Sequence, residues 1–265
     1  MSKPLAEFMA RASNVNLLRA DPFTARFLPV PADSAERPPS QEPIFDLSPA
    51  ELVVTVSGGS SILEVQALLA EQGLCIPWTP FVEGDYRELD VQTALFANLP
   101  HLMSHRYGSW IDWVLGMVLV LADGSVAKSG SRVVKSVAGY DIHKLMVGSA
   151  GQLAAIERVH LRVFARVESH FEEALEAQQV CPSGTLAWVC ARPSDWGELD
   201  LEGGVAYAPT YTALVNRVPA QVGNGGWVWR EGDRAPQDPV SAEMTEAVRL
   251  SLDPTGKLGG SPRPE

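Results

Sequence analysis

Cysteine is scarce in this chain, and long apolar runs and an excess of positive charge are missing. The three cysteines, Cys75, Cys181 and Cys190, are odd in number and form no CxxC pair. That argues against a disulfide framework and points to a reducing compartment. The most apolar run, 117–122, is stopped by Asp123 and Gly124, far short of a bilayer-spanning segment. Between residues 6 and 18 the apolar positions are broken by Glu7, Arg11, Ser13, Asn14 and Asn16, so no secretory leader is expected there. Lysine and arginine number 21 against 32 aspartates and glutamates, a net charge of −11. A nucleic-acid backbone or an anionic membrane surface is therefore a poor partner. The expectation is a soluble, cytoplasmic protein with no membrane insertion, at most peripheral to an inner membrane through a complex.

At 265 residues and 46% hydrophobic content, the chain can bury one large core or two modest ones. Residues 1–20 carry Leu5, Phe8, Met9, Ala12 and Val15 at roughly helical spacing. The next stretch holds Pro22, Pro29, Pro31, Pro38, Pro39 and Pro43, which excludes a regular element and suggests an extended arm. Leu52 to Val56 reads as a strand, 57–61 as a turn, and 62–72 as an amphipathic helix with Ile62, Val65, Leu68 and Leu69 on one face. Ser60 or Ser61 can cap that helix, with Glu64 as a capping-box partner, and Gly73 ends it. The SGGSS run there lacks the spacing and lysine of a phosphate loop.

The densest pattern is 130–164. It reads as strand entry, turn, short helix, turn and strand, with Gly148 and Gly151 free to adopt positive φ. From Val159 onward, polar and apolar residues alternate as in a half-buried strand. Such a glycine-punctuated connection lets backbone approach a ligand, or simply turns a corner. Beyond residue 165 the sequence suggests a helix over 168–179 and short strands near 185–191, 203–208, 212–218 and 226–230, hence a mixed α+β assignment.

Three blocks resemble one family. Residues 132–142, RVVKSVAGYDI, match its G-R-V-V-K-N-V-A-G-Y-D-L almost residue for residue. Residues 47–74 resemble its strand, turn and helix, and 98–129 keep Asn98, Tyr107, Gly108, Ser109, Asp112, Val114, Leu115, Gly116 and the Asp123-Gly124 turn. The family is the FAD-binding domain of the vanillyl-alcohol-oxidase (PCMH) type, and within it the E subunits of bacterial glycolate oxidases. The resemblance implies an α+β, two-subdomain PCMH-type FAD-binding fold followed by a shortened α+β cap domain. It divides the chain into a helix and proline-rich arm (1–43), the FAD-type domain (44–165), the cap (166–250) and a C-terminal tail returning to the FAD-type domain (251–265). It also implies FAD as cofactor, a 2-hydroxy acid as substrate, and a D-type flavoprotein and an iron–sulfur subunit as partners. Asn98, Tyr107, Gly108, Gly139, Tyr140, Gly151 and Ile156 fall where the family approaches its cofactor.

The chain departs from the pattern where FAD would be held. The family's first glycine-rich loop falls within 26–37, which has no glycine, and its second, T-L-G-G, falls on Asp90, Val91, Gln92 and Thr93. A third departure replaces G-T-L-G-V-I-T by Gly151 to Glu157. Two functions follow: an FAD-linked subunit oxidising a 2-hydroxy acid with altered diphosphate loops, or a flavin-free, non-catalytic subunit that keeps the fold and binds a catalytic flavoprotein. No catalytic residue can be named. His101 and His105 stand at metal-ligand spacing, with His143 or Asp112 as a third ligand, but without an H-E-x-x-H signature no metal is expected. Asp141 and His143 read as a polar corner, and the seven tryptophans as core.

Overall fold

The computed structural model describes residues 3–18, 35–79, 86–99, 101, 103–132, 141–176, 187–190, 205–208, 227–230 and 239–258. The expected strand over 212–218, Gly139 and Tyr140 lie outside these residues. Helix α1 (Lys3–Arg11) buries Leu5, Phe8 and Met9, as its spacing requires. Strands β1 (Phe45–Ser48) and β2 (Val53–Ser57) follow, then α2 (Ile62–Ala70) and the short β3 (Leu74–Cys75). Ser61 caps α2 by accepting the Glu64 N–H, and Gly73, at φ +66°, turns the chain after it.

Next come α3 (Val91–Ala97), α4 (Ser104–Tyr107), α5 (Trp110–Trp113), β4 (Val114–Val120) and β5 (Val126–Gly130). Helix α6 (Ile142–Leu145), β6 (Ala155–Arg162), β7 (Phe164–Ala165) and α7 (Glu168–Glu176) complete the larger part. A smaller set comprises β8 (Ala187–Cys190), β9 (Val205–Ala208) and β10 (Trp227–Arg230), and helix α8 (Pro239–Leu252) follows. The described residues thus make a mixed helix and sheet protein.

The main sheet is antiparallel throughout, in the order β1-β2-β6-β4-β5. Its register sets Val54 opposite Leu161 and Met117 opposite Val159, so these β-branched and long apolar side chains all turn to one buried face. The smaller strands form a separate sheet, β10-β8-β9, and β3 pairs with β7. Trp110, Trp113 and Phe96 are fully buried, and Trp110 donates its indole N–H to Leu99 O at 2.9 Å.

Segment 253–258 fastens the ends of this body. Asp253 is fully buried. Its Oδ1 accepts from the Thr255 hydroxyl and Lys257 N–H, and its Oδ2 from Leu258 N–H at 2.7 Å. Lys257 Nζ donates to Met9 O, in the last turn of α1, and to Ala122 O, at 2.8 and 2.7 Å. Among the described residues no helix is long and apolar enough to cross a membrane.

Candidate functional site

The segment expected to be a loop, Asp90 to Asn98, is a cap followed by helix α3, and the helix is buried along its whole length. Asp90 stands before a largely apolar run, and its extended backbone (φ −96°, ψ 161°) with an inward side chain makes it the N-cap. Its Oδ1 accepts the Thr93 N–H at 2.7 Å. The other exposed donors of the first turn are also taken. Val91 N–H donates to Ser60 O at 3.0 Å and Gln92 N–H to Gly58 O at 2.8 Å. A helix start binds anions through N–H groups left without a partner inside the helix, and here those of Val91, Gln92 and Thr93 are all bonded within the chain.

Gln92 closes the same place from its side chain. It is 4% exposed, donates Nε2 to Leu17 O at 2.9 Å and accepts the Ile156 N–H on Oε1 at 2.8 Å. One carboxamide therefore ties the N-terminal segment, α3 and β6 together. Gly58 lets the loop before α2 come this close, since a Cβ there would stand 2.3 Å from Ile156 O. Beside this knot a cavity of about 330 Å³ remains, lined by Asn16, Arg37, Gln41, Gly59, Glu88 and Asp90, among others. On that lining Glu88 and Asp90 outnumber the single cation, Arg37, where a diphosphate would need an excess of positive charge. The residues at the α3 start do not fit a flavin diphosphate.

The predicted site residues fall into two neighbourhoods. Asn98 ends α3 in the left-handed region (φ 46°), and its Oδ1 is buried with no hydrogen-bond partner. Gly151 (φ +73°) packs where a Cβ would lie 3.1 Å from Leu17 and 3.5 Å from Phe96, and Ile156 is the residue Gln92 holds. These three surround α3.

Tyr107 and Gly108 lie elsewhere along the chain's packing. The Tyr107 hydroxyl is 2.7 Å from His170 Nδ1, and its ring meets Phe164 edge-on at 5.1 Å. Arg106 can only donate, so the 3.2 Å contact from its guanidinium makes His170 Nε2 the acceptor. His170 Nδ1–H then donates to the Tyr107 oxygen. Burial raises the pKa of the Tyr107 phenol, with Cys75 adding to it. Gly108 (φ +80°) leaves room for the Asp112 carboxylate, which caps α5 by accepting the Ser109 N–H at 2.8 Å.

The remaining polar candidates have structural partners. His101 is buried with its ring 4.7 Å from Trp113, and no group of metal ligands occurs among the described residues. His143 Nδ1 and the Ser129 hydroxyl lie 2.9 Å apart, within hydrogen-bond distance, while Asp141 pairs with Lys144. Sequence reasoning missed Gln92 and His170, whose partners are distant in the chain. It also set Asp90 against a residue of a glycine-rich loop, although an aspartate ahead of an apolar run is a helix-start signal.

No known protein-family model matches the chain. Its curated relatives include glycolate oxidase subunits and D-lactate dehydrogenases. Glycolate oxidase subunit GlcE of Escherichia coli is 32% identical over 123 residues, 46% of this chain and 35% of that protein. Glycolate oxidase subunit GlcD of Bacillus subtilis is 28% identical over 126 residues, covering 48% and 26%. The mitochondrial cytochrome-type D-lactate dehydrogenase of Arabidopsis thaliana is 34% identical over 113 residues, covering 43% and 19%. The chain thus spans about a third or less of the length of these relatives. The resemblance to the E subunit of glycolate oxidase drawn from the motifs is found again in the direct comparison with GlcE.

Proposed function

We propose that this chain is a flavin-free subunit of a multi-subunit 2-hydroxy-acid oxidoreductase of the glycolate oxidase type. It keeps the two-subdomain PCMH-type scaffold over 44–165, a shortened cap over 166–250 and a returning tail over 251–265. Chemistry on glycolate or a similar acid belongs to a D-type flavoprotein partner, with an iron–sulfur subunit completing the complex. The observation that carries this reading is the closed start of α3. Its first-turn N–H groups are bonded to Asp90, Ser60 and Gly58, and Gln92 is locked to Leu17 and Ile156.

A second reading keeps FAD, held by other contacts near Asn98, Tyr107, Gly108, Gly139, Tyr140, Gly151 and Ile156. What favours it is Asn98 Oδ1, a buried acceptor without a donor. The two readings separate on the absorbance spectrum of the purified chain with and without added FAD. A colourless protein that takes up no FAD supports the flavin-free subunit. Bands near 370 and 450 nm that persist through desalting would sink it.

A further inference from the structure

Away from the start of α3, aromatic side chains stand in a row. Between ring centroids, Trp78 lies 6.3 Å from Trp110, and Trp110 lies 5.1 Å from Trp113. Phe164 fills the next interval, 6.3 Å from Trp113 and 5.1 Å from Tyr107. Trp113 is also joined to Tyr107 directly, its indole N–H donating to the Tyr107 carbonyl at 2.8 Å. Tyr86 meets Trp78 edge-on at 5.6 Å. The three tryptophans are sealed, at 2%, 0% and 1% exposure, whereas Tyr86 and Tyr107 are half-buried. The row therefore runs through the core between two tyrosines that reach solvent.

Tryptophan and tyrosine are the members of this row that give up one electron readily. Tunnelling falls off steeply with distance, so rings in contact exchange electrons far faster than separated ones. Where the vacancy comes to rest is decided by the proton. An oxidised indole sheds its N–H proton only to a base. Trp78 Nε1 has no hydrogen-bond partner, and Trp110 and Trp113 donate to the carbonyls of Leu99 and Tyr107, which are too weakly basic to take a proton. Each indole therefore stays a radical cation and draws an electron from its neighbour. Tyr107 differs. Its oxygen accepts from His170 Nδ1–H at 2.7 Å, and its own proton can pass to water, so an oxidised Tyr107 relaxes to a neutral radical.

We propose that this row carries one-electron oxidising equivalents out of the core to Tyr107, sparing the packed interior when an oxygen-derived radical strikes it. The oxidant takes one electron from Trp78, and the vacancy passes through Trp110 and Trp113. Tyr107 then supplies the electron and releases its phenol proton to water. A thiol in solution restores the phenol by giving up one hydrogen atom, and itself becomes a thiyl radical. The path uses none of the residues at the α3 start, and it operates whether or not the chain holds a flavin.

The test uses the full chain as A67C/Y86F/C181A/C190A, with a ruthenium tris-bipyridine sensitiser on the introduced thiol. Ala67 is exposed and lines one cavity with Trp78, so a flash with an electron acceptor leaves oxidised ruthenium beside the start of the row. Cys75 is fully buried and is left unlabelled. Y86F removes the tyrosine at which the vacancy would stop at once. Transient absorption should show a tryptophan radical cation first and a tyrosyl radical after it, and freeze-quenched samples should give a tyrosyl EPR signal. Y107F should abolish that signal, and W110F should lower its yield at least fivefold. Y107F deletes a single oxygen from a half-buried ring and carries the test if W110F fails to fold. No tyrosyl signal, one that survives in Y107F, one that forms without a tryptophan precursor, or an undiminished yield in folded W110F would overturn the proposal.

Discussion

Replacing Gln92 with leucine keeps the volume of the side chain but removes both of its hydrogen bonds. Leu17 O and Ile156 N–H then stay buried, since their residues are 4% and 0% exposed, and neither gains a new partner. An orphaned buried donor or acceptor costs about 1–3 kcal/mol, so the pair costs about 2–6 kcal/mol. That is a large share of the roughly 5–15 kcal/mol that holds a typical domain together. Gln92→Glu separates hydrogen bonding from shape. A buried carboxylate cannot donate to Leu17 O, and burial raises its folded pKa above the usual value of about 4.3. The folded Q92E chain then holds its proton more tightly than the unfolded one. Its stability relative to the unaltered chain is greatest at low pH and is lost as pH rises through the raised folded value. Urea unfolding followed by tryptophan fluorescence, at about pH 5 and about pH 7.5, measures both effects as midpoints at constant slope. A Q92L chain within about 0.5 kcal/mol of the unaltered one, or a Q92E deficit that does not grow with pH, would refute the role of Gln92 as the tie between these segments.

Asp253→Ala strands the Lys257 and Leu258 N–H groups, while the exposed Thr255 hydroxyl turns to water, so it should cost about 2–4 kcal/mol and lower the melting temperature by about 5–15 °C in a thermal scan. An unchanged melting point would show that the 253–258 turn carries no load. Burial depresses the pKa of His143, whose Nδ1 lies 2.9 Å from the Ser129 hydroxyl. The unfolded chain therefore binds that proton first, and stability present above about pH 6.5 is lost as pH falls through the lower folded value. His143→Gln should flatten this slope in urea titrations, though not abolish it, because burial depresses His160 in the same direction. Cys75 is fully buried with its pKa pushed up to about 11, chiefly by burial. In a C181A/C190A background it should react with an aromatic disulfide reagent only as fast as the protein opens, and labelling within seconds in native buffer would contradict that.

Much of the scaffold was legible because its causes are local. The β-branched run before Gly58, the Ser61 cap, the Gly73 stop and the Asp123-Gly124 turn each act within a few residues, and α2, β2 and β4 form where those signals stand. Helix α3 was hidden because its segment was compared with a glycine loop, which drew attention to the missing glycines and away from Asp90 as a cap. The rest was illegible for a different reason. Gln92 finds its partners 75 and 64 residues away, and Tyr107 meets His170 across 63. No spacing rule reaches that far, so the residues closing the candidate site could be recognised only once the fold had brought them together. Residues 133–140, including Gly139 and Tyr140, lie outside the described part of the fold.

The Lys257 ammonium has a consequence in time as well as in space. It bonds to a carbonyl 248 residues earlier in the chain, in the final turn of the first helix. At ribosomal speeds of roughly 5–20 residues per second, α1 waits about 10–50 s after synthesis for the group that finishes it. Its apolar face, with Leu5, Phe8 and Met9, meets the sheet long before that latch arrives. From the completion of β6 at Arg162 until Lys257 is made, the nascent protein is therefore a body with an unfastened flank, and that is when a chaperone or an assembly partner would find it most open.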